Sequence, residues 1–193
     1  AIMSAIRANA IDAAGYADTS TKNNLDLVTW AVRAEQAGWG YVWGSQGELL
    51  TESRFQSLAA SYPKEVGGYE EWIRTHWLGK RTADCSGLIR GYWWLGAETQ
   101  EIRYGSNGIP AMGADAMYQA ASEKGPMSTM PEIPGLGVWH KGHIGIYIGN
   151  GEVVEAMSTR KGVVRTQLAS GHWTAWLKIP YINYIETTEE EIS

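Results

Sequence analysis

Asp84-Cys85-Ser86-Gly87-Leu88-Ile89-Arg90-Gly91-Tyr92-Trp93 places the only cysteine of the chain at the head of an apolar run. Leu88, Ile89, Tyr92 and Trp93 recur at helical spacing, which predicts a helix with Cys85 at its N-terminus. Unpaired backbone N–H groups and the helix macrodipole stabilise a negative charge there, and the thiolate is the reactive form of cysteine. A single thiol in 193 residues cannot pair within its own chain. It is buried filler, a ligand shared with a partner, or a nucleophile. Free cysteine packs well as a small hydrophobe, so the choice falls to the rest of the chain.

Composition narrows the classes. The chain has the length of one ordinary domain, with 44% hydrophobic and 19% charged residues, and can bury a core without disulfides. A net charge of -5 argues against a surface that neutralises phosphates, so neither nucleic acid nor an anionic membrane surface is an expected partner. No stretch approaches transmembrane length, and Ala1 to Arg7 lacks the pattern of a signal peptide. Beginning at Ala1, the chain reads as a piece of something longer, with any targeting segment upstream. Ten Trp and ten Tyr stand against one Phe; these residues join a flat apolar body to a polar handle, and serve both cores and surfaces that grip extended polymers.

Working outward from Cys85, residues 1–23 read as a leader or linker. A first helix is expected over Leu25 to Ala37, stopped by Gly38. Tyr41-Val42-Trp43-Gly44 follows, then a stretch at about 46–82 with two short helical patterns, one on Leu50, Phe55 and Leu58 and one on Trp72, Ile73 and Trp77. After the Cys85 helix comes a Gly- and Pro-containing loop and a surface helix over Ala114 to Ser122. Five strands are then expected, over Leu136 to Trp139, His143 to Ile148, Val153 to Met157, Val163 to Thr166 and Trp173 to Ile179. Asn150-Gly151 is a strong hairpin signal. Helices first and a meander second give an α+β fold, with helices on a small antiparallel sheet and an acidic tail at 185–193.

A cysteine nucleophile needs a base, and the base an orienting group on its other nitrogen. Among four histidines, His143 opens an apolar strand, and folding about Gly149-Asn150-Gly151 brings the strand Glu152-Val153-Val154-Glu155-Ala156 beside it. Glu155 is either an edge-strand carboxylate facing water or the partner of His143. The histidines and the one cysteine do not sit at zinc-ligand spacing, so neither a metal nor another cofactor is expected.

Taken together, Tyr41-Val42-Trp43-Gly44, Asp84-Cys85-Ser86-Gly87 and His143-Ile144-Gly145-Ile146-Tyr147-Ile148-Gly149-Asn150-Gly151 resemble the NlpC-type cysteine peptidases. These are papain-like enzymes that cut the peptide stems of bacterial peptidoglycan. The resemblance spans Tyr41 to about Ala156 and extends through the flanking elements, giving one domain at 24–184. It implies Cys85 as nucleophile, His143 as general base and acid, and Glu155 as the third catalytic group. It further implies that Tyr41 binds substrate and the oxyanion, that Asp84 and Ser86 contact the peptide stem, and that the Cys85 N–H helps form the oxyanion hole.

Two departures from the family pattern stand out. The third position is often histidine, where this chain has Glu155. Tyr41 and Cys85 lie 44 positions apart, much further than usual, which marks about 46–82 as an insert. The insert is surface elaboration or a wall of the substrate cleft, in which case Trp72, His76 and Trp77 are candidates to touch a glycopeptide. The expected setting is secreted, cell-wall associated, or delivered by a phage or mobile element. Rival readings are a cell-wall amidase of the cysteine-histidine amidohydrolase group, a silent cell-wall-binding module, and an adhesive structural domain that would need no thiol.

Overall fold

Asn23 opens the ordered helical framework: its side chain accepts a hydrogen bond from the Asp26 N–H and caps α1 (Asn24–Gln36). The computed structural model describes residues 21–96 and 101–186. Most of the expected leader and acidic tail lies outside the described residues. Asn23 itself is buried and bridges Asn183, and the Asn24 side chain bonds both the N–H and the C=O of Ile185. These contacts tie Asn23 and Ile185, just outside the expected 24–184 boundaries, to the described framework.

The remaining helices are α2 (Glu52–Ser61), α3 (Glu70–His76), α4 (Cys85–Trp94) and α5 (Ala114–Ala120). The strands are β1 (Gln46–Leu49), β2 (Arg81–Ala83), β3 (Lys124–Pro126), β4 (Gly137–His140), β5 (His143–Gly149), β6 (Glu152–Ser158), β7 (Gly162–Gln167) and β8 (Ala175–Leu177). Six of them form an antiparallel sheet in the order β3-β8-β4-β5-β6-β7. One more strand is present than the five expected: Lys124-Gly125-Pro126 is too short and too rich in Gly and Pro to show strand alternation, yet it pairs with β8.

Alternation along the strands divides the core. Ile144, Ile146, Val154 and Ala156 point to the face covered by α1 and α4, where Leu27, Trp30, Leu88, Ile89 and Trp93 meet them. Tyr147 and Val153 point the other way, joining Leu136 and Val138 under Trp173 and Trp176. His143 and Glu155 share parity with that second face.

The insert is anchored at both ends. β1 pairs antiparallel with β2, so the chain leaves and re-enters the domain at one place. Between them, Leu50, Phe55, Leu58, Val66 and Ile73 close a small core of their own around Val42. Asn150 takes a left-handed conformation with φ 54 in the β5–β6 turn, as the Asn-Gly signal requires.

β1 enters directly over α4, and Gly87 makes the approach possible: a Cβ there would lie 1.9 Å from the carbonyl oxygen of Ser45. The obstacle is backbone, which cannot swing aside. Gly87→Ala is expected to cost about 1–3 kcal/mol as overpacking, a fall of roughly 2–10 °C in Tm for a domain of this size. Thermal unfolding of the variant checks this, and an unchanged Tm would mean that β1 yields freely.

Candidate active site

Asp84 sets the position of the thiol. Its Oδ1 accepts the Gly87 N–H at 2.7 Å and caps α4, and its Oδ2 accepts the Gly44 N–H at 2.8 Å. One carboxylate thus ties the helix start to the Tyr41-Val42-Trp43-Gly44 segment. Cys85 follows as the first residue of the helix, partly exposed, with its backbone N–H among those that no earlier turn can satisfy. The Cys85 Sγ also lies 3.9 Å from the carbonyl oxygen of Gly142 in the β4–β5 turn.

His143 begins β5 directly after that turn. Its Nε2–H donates to Glu155 Oε1 at 2.8 Å, and Thr166 Oγ1 donates to Glu155 Oε2 at 2.6 Å. With Nε2 engaged, Nδ1 is the ring nitrogen left for the thiol. The pairing of Ile146 with Val154 and of Tyr147 with Val153, continued along the ribbon, sets Glu155 across from Gly145 and diagonal to His143. Glu155 is buried, which removes the reading of a water-facing edge carboxylate.

Electrostatics follows from this chain of contacts. Burial alone would pull the His143 pKa down, but hydrogen bonding and charge attraction from Cys85 and Glu155 outweigh it and push the imidazole from 6.5 up to about 9. Burial raises the Glu155 pKa, yet the hydrogen bonds from His143 and Thr166 and the nearby imidazoles prevail, leaving it below the ordinary carboxylate range. The contacts around His143 therefore favour its imidazolium form, with Glu155 as the anion at its Nε2. Tyr41 is nearly buried; burial first, then the negative charges of Cys85 and Asp84, push its phenol well above the usual range, so it stays a hydrogen-bond donor.

A cleft of about 490 Å³ lies beside the thiol, lined by Tyr41, Asp84, Cys85, Ser86, Arg90 and Gly142 among others. The side chains of Asp84 and Ser86 are committed to Arg90, whose guanidinium donates to Asp84 Oδ1 at 3.2 Å, to Ser86 Oγ and to the Met112 carbonyl at 3.0 Å. A ligand in the cleft meets these three residues as one network. From the insert, the cleft receives Gln46 and Tyr62. Trp72 and Trp77 do not line it: Trp72 stacks on His76 at 3.7 Å, and Trp77 packs against the backbone at Gly40 and Gly162.

Three residues escaped the sequence reading. Arg90 was legible only as one cation inside an apolar helical run. Asp115, on α5, accepts from the Gly142 N–H at 2.7 Å and from Trp139 Nε1 at 3.0 Å, and so holds the turn between His140 and His143 against the thiol. Trp173 stacks on the His143 ring, centroids 5.5 Å apart and planes 12° from parallel. Gly145 leaves it space, since a Cβ there would come within 3.0 Å of the indole. Among the described residues, no group of three or more His, Cys, Asp or Glu side chains is placed to hold a metal ion.

No curated protein matches the chain. Solved structures similar to it include NlpC2 from Trichomonas vaginalis, at 16% identity and a TM-score of 0.47, covering 88% of this chain and 50% of that one. This chain thus spans half the length of the Trichomonas protein. The NlpC/p60 domain of the peptidoglycan hydrolase SagA is 16% identical with a TM-score of 0.45, covering 81% of this chain and 99% of that one. The P60 domain of a Mycobacterium avium subspecies paratuberculosis antigen is 21% identical with a TM-score of 0.47, covering 82% and 97%. With the family model matching residues 38–180, well over half its length, the chain belongs to the NlpC/P60 family.

Proposed function

We propose that the protein is a cysteine endopeptidase that hydrolyses a peptide bond in the stem of peptidoglycan, for example between D-γ-glutamate and a diamino acid, through Cys85, His143 and Glu155. The observation that carries this reading is a thiol at a helix N-terminus next to the turn that opens β5 at His143, whose imidazole is bonded to a buried and doubly hydrogen-bonded carboxylate. Membership of the NlpC/P60 family supplies the substrate class. An endopeptidase is preferred to a silent binding module because no member of the relay is missing, and a binding role would not need His143 held as an imidazolium.

In this reading the Cys85 thiolate attacks the scissile carbonyl carbon. The oxyanion that forms is met by the Cys85 N–H and by the Tyr41 hydroxyl. His143 gives its proton to the departing amine as the C–N bond breaks, which leaves an acyl thioester. Water then attacks the thioester, His143 takes the water proton, and Cys85 leaves as thiolate. Asp84, Ser86 and Arg90 form the wall that holds the stem peptide. The setting that fits this substrate is the cell wall or its vicinity, reached by secretion or by delivery from a phage or mobile element.

The relay predicts a pH profile. Because the folded His143 pKa lies above its ordinary 6.5, the imidazolium and the stability it brings are complete below about 6.5 and are lost as pH rises through about 9. Glu155 is shifted the other way, so its contribution holds above the ordinary 4.5 and disappears only as pH falls through a lower value. Glu155→Gln removes the anion but keeps an acceptor for the ring. Its alkaline limb should therefore move below that of the wild type, with a smaller rate loss than removal of His143. Rates on a defined stem peptide between pH 4 and pH 10 test this; coincident limbs and equal rates would strip Glu155 of its role.

A further inference from the structure

The insert makes a second cavity that the proposed chemistry does not use. It measures about 300 Å³ and lies between the insert and the β6–β7 turn, with Glu65 and Tyr69 on one side and Met157 to Arg160 on the other. Tyr41 and Trp43 line both this cavity and the catalytic cleft, and the two share no other described residue. The two are neighbours along one surface.

Its walls are fixed. Trp77 Nε1 donates to the Thr159 carbonyl at 2.6 Å, and the Arg160 guanidinium rests over the Trp72 ring at 5.0 Å. These contacts, added to the insert's own core, bolt the insert onto the turn. Trp72 and Trp77, expected from sequence to meet substrate, instead hold up a cavity that other side chains line.

The lining is unusual in what it exposes. Trp43 is 44% exposed and Tyr69 is 40% exposed, two of the few large apolar side chains left open to solvent among the described residues, and they face the same space. Beside them stand a carboxylate, Glu65, for which no ion pair is formed among the described residues, and the guanidinium of Arg160. Flat aromatic faces carry negative charge density and accept the weakly positive C–H face of a pyranose. Hydroxyl and acetamido groups project from the rim of such a ring, where a carboxylate accepts and a guanidinium donates. A cavity of this volume is at the lower end for ligand sites and suits one sugar unit.

We propose that this cavity is a saccharide subsite, which holds one pyranose of the glycan strand while the attached stem peptide lies in the catalytic cleft. The proposal rests on the peptidoglycan reading above and deepens it. An extended peptide would leave the two aromatic faces largely unused, whereas a sugar uses both faces and both charged groups. The continuity through Tyr41 and Trp43 lets one molecule occupy both spaces.

The test uses two independent readouts. Calorimetry with the Cys85→Ala protein measures binding of glycan strands stripped of their peptides, and separately of a free stem tetrapeptide. Stripped strands should bind, and Tyr69→Ala in the same background should weaken them about three- to tenfold. With active protein, Tyr69→Ala should lower kcat/KM by a similar factor on disaccharide-linked stems and leave free stem peptides unchanged. The proposal is overturned if stripped strands do not bind at millimolar concentration. It is overturned equally if Tyr69→Ala affects both substrates alike, which would make the cavity a peptide site, or affects neither. If strands bind but no stem is cleaved by the unaltered protein, the endopeptidase reading fails and the saccharide subsite stands.

Discussion

Cys85→Ala should abolish hydrolysis of stem peptides and leave the protein folded. The proposed reaction passes through an acyl thioester on Cys85 Sγ, and no other thiol exists in the chain to replace it. The sulfur is partly exposed at the edge of the main core, where it meets the Gly142 carbonyl and His143, and an alanine there keeps the Cβ that packs. The cap on α4 is Asp84, not Cys85, so the helix start survives the change. Product release from purified cell walls, followed by mass spectrometry, should fall to background, while circular dichroism and Tm stay close to the wild type. A chelator added to the unaltered enzyme should leave its rate intact, since the thiol supplies the nucleophile. Cleavage by Cys85→Ala at a wild-type rate would remove the thiol mechanism.

His143→Ala is expected to reduce the rate roughly 100- to 10,000-fold, the usual worth of a positioned acid–base group. The loss has two parts: the imidazolium no longer supports the thiolate, and no group remains to protonate the departing amine. A second consequence separates this role from a structural one. Without His143, Glu155 keeps its bond from Thr166 but loses its other partner and stands as a buried carboxylate, so its pKa should rise. Stability of the variant should then fall as pH rises through the carboxylate range, whereas the Glu155 contribution in the wild type is lost as pH falls. The measurement is kcat/KM together with unfolding free energy at several pH values. A variant that keeps more than a tenth of the wild-type rate would exclude His143 as the proton carrier.

Local chemistry made part of this site legible. Asp84 ahead of an apolar run reads as a helix cap, and Asn150-Gly151 reads as a two-residue turn; each is set by its own neighbours in sequence. From those two signals the start of α4 and the ribbon carrying His143 and Glu155 could be placed, and the structure brings these residues together. What escaped depends on distant partners. Arg90 gains meaning from Met112 as well as from Asp84 and Ser86, Asp115 from Trp139 and Gly142, and Trp173 from His143 and Gly145. Asp115 in isolation looks like an acidic first-turn residue, and Trp173 like one aromatic among many. The strand pair that closes the insert at about 46–82 was hidden for a related reason: β1 and β2 are four and three residues long, too short to show a period, and each is a strand only because the other is beside it.

The solitude of Cys85 also sets how this protein meets oxidants. A thiolate that forms a sulfenic acid is commonly rescued when a nearby second cysteine condenses with it to a disulfide, which reductants can reopen. Within these 193 residues there is no such resolving cysteine. A partly exposed thiol at a helix terminus is open to peroxide, and within these residues no second thiol stands ready to condense with the sulfenic acid. Outside a reducing compartment, the working lifetime of the site is then set by the supply of small thiols around it rather than by the stability of the fold.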